Sequence, residues 1–133
     1  IGCNSDTWVV EQLSSRKDVI LGELGEAGKR NAWTAGMDKA MAALHEEGIT
    51  VAEIRDCMEA IAIDEGIKKA VKRFSSRGGD VRVLSDANTL FIDWIIRSNG
   101  LGDHISKVVS NPAQVEASGQ LRVRPYHTDP HPP

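Results

Sequence analysis

The patterning of the chain changes once, at Gly78-Gly79, and that change constrains the fold more than any other feature. Upstream, apolar residues recur at helical spacing. Downstream, Val81, Val83 and Leu84 form a short run suited to a buried strand, and the run stops abruptly at Ser85-Asp86. Leu90, Ile92, Trp94, Ile95 and Ile96 then occupy a helix-length segment closed by the stop signal Asn99-Gly100. A strand that ends in a polar corner and feeds a helix is a building unit of α/β proteins, whose ligand crevices lie outside the carboxyl ends of the strands. The expectation is an α/β fold with Ser85-Asp86 at the edge of a site.

The upstream part reads as helices. Asp6 is placed to cap a helix carrying Trp8, Val9, Val10 and Leu13. The Gly-rich stretch GELGEAGKRNAWTAG predicts a break. Met37, Met41 and Leu44 follow at i, i+4 and i+7, one helix face, with Gly48 as the stop. Thr50 and Glu53 have capping-box spacing: the hydroxyl can take a backbone N–H while the carboxylate reaches back. Val51, Ile54, Met58 and Ile61 form the apolar stripe of that helix. A further helix sets Ile67, Ala70, Val71 and Phe74 against an outward face of Lys68, Lys69, Lys72 and Arg73, read as solvated because no aromatic residues interleave with the charges.

Downstream, KVVSNP predicts a second short strand. QLRVRPY alternates Leu121 and Val123 with Arg122 and Arg124, the period of a half-exposed strand, and AQVEASG between them reads as a hairpin loop. The division is a helical region of residues 1–63 followed by an α/β region of residues 64–133.

With 133 residues, 41% hydrophobic and 26% charged, the chain is the size and composition of one folded domain rather than a disordered segment. A net charge of −3 offers no electrostatic case for nucleic acid. No apolar run is long enough to cross a bilayer, and no secretory signal is visible. Cys3 and Cys57 make no disulfide framework, so a reduced cytoplasmic setting is expected, with Cys57 a small core hydrophobe. Ile1 in place of Met and the ending HTDPHPP suggest an excerpt of a longer protein.

Two readings of the Ser-Asp corner stand side by side. In one, Ser85, Asp86 and Asn88 are turn and cap residues whose oxygens accept backbone N–H groups. In the other, the hydroxyl and N–H groups converge on a phosphate. His127, Asp129 and His131 are conceivable metal ligands, but they sit among prolines with no framework, and no metal site is assigned to them.

VRVLSDANTLFIDWII, followed by VVSNP and LRVRPYH and preceded by NSDTWVV, resembles the phosphoethanolamine/phosphocholine phosphatase family of the haloacid dehalogenase superfamily. Its plant-type members, described as phosphatases of phosphocholine-like esters, pyrophosphate or thiamine phosphate, are similar over nearly the whole chain. The resemblance implies a partial haloacid-dehalogenase-like Rossmannoid sheet with a helical cap, and a Mg²⁺-dependent phosphatase working through an aspartyl-phosphate. It implies that Ser85, as the second-motif hydroxyl, holds the transferring phosphoryl group, and that Asp6 and Asp86 read the substrate. Two carboxylates suit an ammonium head group by Coulomb attraction. They suit pyrophosphate poorly unless a metal or Lys intervenes.

The departures matter as much. No Asp-x-Asp-x-Thr/Val motif occurs in the chain, and neither the family's Lys nor its later acidic motif is present. The expectation is therefore a fragment that is inactive alone, with Mg²⁺ bound only in the complete protein. A small phosphate is the expected partner, with neither nucleic acid nor membrane. A truncated, non-catalytic remnant that binds a small phosphate or a partner is the competing expectation. Without the parent sheet's central strand, the strand at Val81 should expose an unpaired edge.

Overall fold

The structure is a computed structural model, and it describes residues 3–127. Helix α1 (Ser5–Leu13) is capped by Asn4, whose side chain accepts the Asp6 N–H at 2.9 Å. Asp6 is thus not the expected cap. Asn4 already occupies the extended position before the first turn, which turns Asp6 inward, where it is buried.

Helices α2 (Lys17–Lys29) and α3 (Trp33–Glu46) form an antiparallel pair around the expected break, where Asn31 takes a positive φ of 55°. They approach closely at Gly36: a Cβ there would lie 2.8 Å from the Ala27 Cβ. Met37, Met41 and Leu44 are buried as expected, and the chain leaves α3 through Gly48 at φ +82°. Helix α4 (Val51–Glu59) opens with both bonds of the Thr50–Glu53 capping box. Cys57 on α4 is half-buried against the core, and both described cysteines are free thiols.

Helix α5 (Glu65–Ser76) departs from expectation. None of its residues is buried; Ile67 is 51% and Phe74 57% exposed. The amphipathic stripe exists, but no described element covers it. The helix mainly touches the 3-10 turn Gly102–His104.

Strand β1 (Arg82–Leu84) pairs in parallel with β2 (Lys107–Val109), with Val83 opposite Val108. The expected burial of β1 fails at Leu84, which is 85% exposed, because only one neighbouring strand and no layer on that face lie among the described residues. Helix α6 (Thr89–Ser98) joins the two strands and ends at Asn99-Gly100. Asn99 also ties the preceding helices to α6: it accepts the Ile63 N–H and donates to the Ile61 carbonyl, both at 2.9 Å.

The last element is an antiparallel hairpin of β3 (Ala113–Val115) and β4 (Leu121–Val123). The sequence reading placed residues 113–119 in a loop. The first three of them form a strand instead, and the turn is 116–120, with Gly119 at φ +89°. Three residues containing a Gln are too short and too polar to announce a strand by pattern. Leu121 and Val123 are buried and pack on α3, while α4 packs on α6. One core therefore runs from Val9 and Val10 through Met58 to Phe91 and Leu121. The fold is mixed α/β.

Candidate functional site

Both parallel strands end in serine. Ser85 follows β1 and Ser110 follows β2, and the Ser85 N–H continues the ladder to the Val109 carbonyl at 3.1 Å. Beyond these ends lies an open cleft of about 530 Å³ lined by Ser85, Asp86, Ser110, Asn111, Tyr126 and His127. A larger groove, about 770 Å³, runs between α2 and α3, away in sequence from the strand ends, and is lined by Asp18, Glu23, Glu26, Arg30 and Lys39 beside small apolar residues.

The corner is both a cap and a cleft wall. Ser85 Oγ accepts the Ala87 N–H at 3.1 Å, and Asn88 Oδ1 accepts the Phe91 N–H at 3.0 Å to start α6. Asn111 locks the second strand end to the first. Its Nδ2 donates to the Asp86 carbonyl at 2.8 Å and to the Ala87 carbonyl at 3.1 Å, while its Oδ1 accepts the Tyr126 N–H at 2.9 Å. Side chains at the corner are therefore held by a braced backbone, the condition for a precise polar site. Ser110 Oγ is buried and has no hydrogen-bond partner among the described residues.

Asp6 lies outside the cleft lining, on the first turn of α1, and is 4% exposed. Burial raises its carboxyl above the usual range. The Trp33 indole N–H, donating to Asp6 Oδ2 at 2.8 Å, works against that rise, and the negative charge of Asp86 adds to it. The nearby Ser5 hydroxyl has a weaker lowering influence. Asp6 Oδ1 is buried without a hydrogen-bond partner within bonding distance among the described residues. The structure thus puts Ser85 and Asp86 in one cleft and Asp6 within electrostatic reach of Asp86.

His127 lines the cleft, with its ring edge-on to Tyr126 at 4.9 Å. Asp129 and His131 lie outside the described residues. Among the described residues no group of three His, Cys, Asp or Glu could hold a metal, and no helix is long and apolar enough to cross a membrane. The described residues by themselves therefore assemble no full set of metal ligands.

Sequence reasoning missed Ser110, Asn111 and Trp33. The first two carried a signal, since RVLSD and KVVSN repeat one strand–serine pattern. Trp33 had none, because its partner is 27 positions away.

Residues 1–132 match the family described as "Putative Phosphatase". Among curated relatives, a thiamine phosphate phosphatase-like protein of Arabidopsis thaliana is 34% identical over 130 residues, which is 98% of this chain and 51% of the relative. Inorganic pyrophosphatase 2 of the same plant is 35% identical over 127 residues, 96% of this chain and 44% of the relative. Pyridoxal phosphate phosphatase PHOSPHO2 of Mus musculus is 30% identical over 126 residues, 93% of this chain and 52% of the relative. No solved structure matches. The chain spans about half the length of these curated relatives. With the match running along nearly its whole length, the chain belongs to this phosphatase family of the haloacid dehalogenase superfamily.

Proposed function

We propose that the protein carrying this chain is a cytoplasmic, Mg²⁺-dependent phosphatase. Its substrate would be a small phosphomonoester with a cationic head group, such as phosphocholine, phosphoethanolamine or thiamine phosphate, or else pyrophosphate. The observation that carries the reading is the cleft in which Ser85, at the carboxyl end of β1, stands beside Asp86 on a backbone braced by Asn111. A hydroxyl there can donate to a phosphoryl oxygen as negative charge builds on it. Asp86, and behind it Asp6, would attract the positive part of the substrate. Residues 1–63 would serve as a cap whose closure excludes water and strengthens these interactions. The attacking aspartate and the metal ligands belong to the complete protein, since no motif in this chain supplies them.

The test is phosphate release by the full-length protein with Mg²⁺, using those three esters and pyrophosphate. Turnover of at least one is expected. Ser85→Ala should lower kcat by roughly 10²–10³-fold, the usual cost of losing one donor to a developing oxyanion. Asp86→Asn should instead reorder the substrates, weakening the cationic esters most. A folded full-length protein that releases phosphate from none of them would refute the phosphatase reading.

A further inference from the structure

The chain after β4 runs back along residues 111 and 112. The Arg124 N–H donates to the Pro112 carbonyl at 3.0 Å, and the Tyr126 N–H to Asn111 Oδ1 at 2.9 Å. Pro125 lies between them, and its fixed φ limits how far the segment can swing. Tyr126 thereby joins the lining of the cleft that holds Ser85 and Asp86, with 54% of the residue exposed. Buried Asn111 is the common tie. Its amide nitrogen donates to the Asp86 and Ala87 carbonyls while its oxygen accepts from Tyr126. The backbone that carries the carboxylate and the backbone that carries the ring are therefore fixed to one side chain.

The Tyr126 ring meets the His127 ring at 4.9 Å and 87°, so the two make an aromatic corner. Asp86 is exposed in the same open cleft, and a ligand entering there reaches both groups. Their attractions differ in kind. A carboxylate draws any positive charge and accepts whatever N–H groups it carries. A ring face draws a cation with no need of an N–H, and does so best when little water must be stripped away. A quaternary ammonium offers Asp86 no N–H at all, so the ring supplies the directed contact that the carboxylate cannot make.

We propose that Tyr126, with His127 beside it, is the aromatic wall of the cleft and selects a quaternary ammonium ester over a primary one, while Asp86 responds to charge alone. The proposal rests on the phosphatase reading above and adds the residue that grades its cationic substrates by methylation. Tyr126 takes no part in phosphoryl transfer.

The test compares Tyr126→Leu and Tyr126→Phe in the full-length protein. Tyr126→Leu should raise KM for phosphocholine roughly tenfold, within the range of a cation–π contact, and change KM for phosphoethanolamine and pyrophosphate by less than about twofold, with kcat kept. Thiamine phosphate, whose thiazolium nitrogen likewise has no N–H, should weaken with phosphocholine. Tyr126→Phe keeps the ring and should match the parent on all four. Equal losses on every substrate, as from a ring that only packs, would overturn the proposal. So would a Phe variant as impaired as the Leu variant.

A second measurement needs no turnover and can be made on the parent and the Phe variant alone. Saturating the protein's aromatic protons should pass magnetisation to the N-methyl protons of added phosphocholine, in both proteins, and the transfer should be lost in Tyr126→Leu. No transfer in the parent, or undiminished transfer in a folded Leu variant, would overturn the proposal. The two readings fail separately. Hydrolysis with an unchanged preference for phosphocholine in Tyr126→Leu, or of pyrophosphate alone, removes the aromatic wall and keeps the phosphatase. Ring-dependent transfer in a protein that hydrolyses nothing removes the phosphatase and keeps the wall.

Discussion

Asp6 is held at a cost. A buried polar oxygen without a partner costs about 1–3 kcal/mol, and among the described residues Asp6 Oδ1 is such an atom. The sign of its pH effect follows from the direction of its shift. Its folded pKa lies above the ordinary 3.8, mainly because burial penalises the charge. Such a group favours the folded state fully below 3.8, and that contribution is lost as pH rises through the raised folded value. Asp6→Asn, which keeps an oxygen for Trp33, should therefore raise Tm at pH 7, and the gain should shrink as pH falls towards 3.8. Thermal melts of the full-length protein across that range decide it; a variant less stable than the parent at pH 7 would mean that the charge is already compensated. A residue that weakens the fold where it stands is the mark of a site. Its identity as a carboxylate was legible in NSD, but its burial was not. The cap position it was expected to fill went to Asn4 two residues earlier, a choice between adjacent polar residues that local pattern cannot make.

At the scale of elements, the hairpin is fastened to α3 by one arginine. Arg122 on β4 grips Asp38 with two bonds of 2.9 Å and reaches Glu116 with a third of 2.9 Å, while the Val123 N–H also donates to Asp38 at 2.9 Å. Partial burial pushes the Asp38 carboxyl up, but the Arg122 guanidinium and the Val123 N–H outweigh it, so the net shift is downward. A lowered carboxylate contributes stability above 3.8 that is lost as pH falls through its folded value. Asp38→Ala should cost about 1.5–3 kcal/mol near pH 7, discounted from the buried-pair range because the side chains keep a quarter of their exposure. It should also flatten the acid limb of the stability curve below pH 3.8, as read from denaturant melts at several pH values. An unchanged acid limb would show that the clamp is not what acid breaks. Arg122→Lys should not rescue, since an ammonium cannot reproduce the paired bonds. Local signals explain which elements were legible. The Thr50–Glu53 box and the Asn99-Gly100 stop act within one turn and were readable in sequence. The alternation of Leu121 with Arg122 marked a strand, but Arg122, expected on the open side, is held by a carboxylate 84 positions away.

Across the whole molecule, exposed apolar side chains occur from Val19 to Tyr126, and the most exposed of them is Leu84 on β1. The core from Val9 to Leu121 is closed, whereas Ile67 and Phe74 on α5 and Leu84 on β1 stand 51%, 57% and 85% exposed. Their periodicity announced burial correctly as a tendency, since Ile67 and Phe74 share a helix face and Leu84 sits in a β-rich run. What covers them is a property of neighbours, which a pattern within one segment does not carry. Among the described residues β1 is paired only with β2, so its other edge offers free N–H and C=O groups beside an exposed leucine. Open, apolar strand edges recruit other strands, and a charge placed on them prevents it. The 133-residue chain prepared by itself should therefore associate at rising concentration; on the function proposed above it should also show no phosphatase turnover, because residues that work as one catalytic unit leave no proportionate share of the rate when some are missing. Leu84→Lys should suppress the association while leaving the helical signal in circular dichroism intact, since Leu84 belongs to no part of the closed core. Sedimentation velocity over a hundredfold concentration range reads the outcome. A chain that stays monomeric throughout, or a lysine variant that associates as strongly as the parent, would show that this edge is not the adhesive surface. Metal-dependent turnover by the isolated chain would show that the reacting groups lie within it after all.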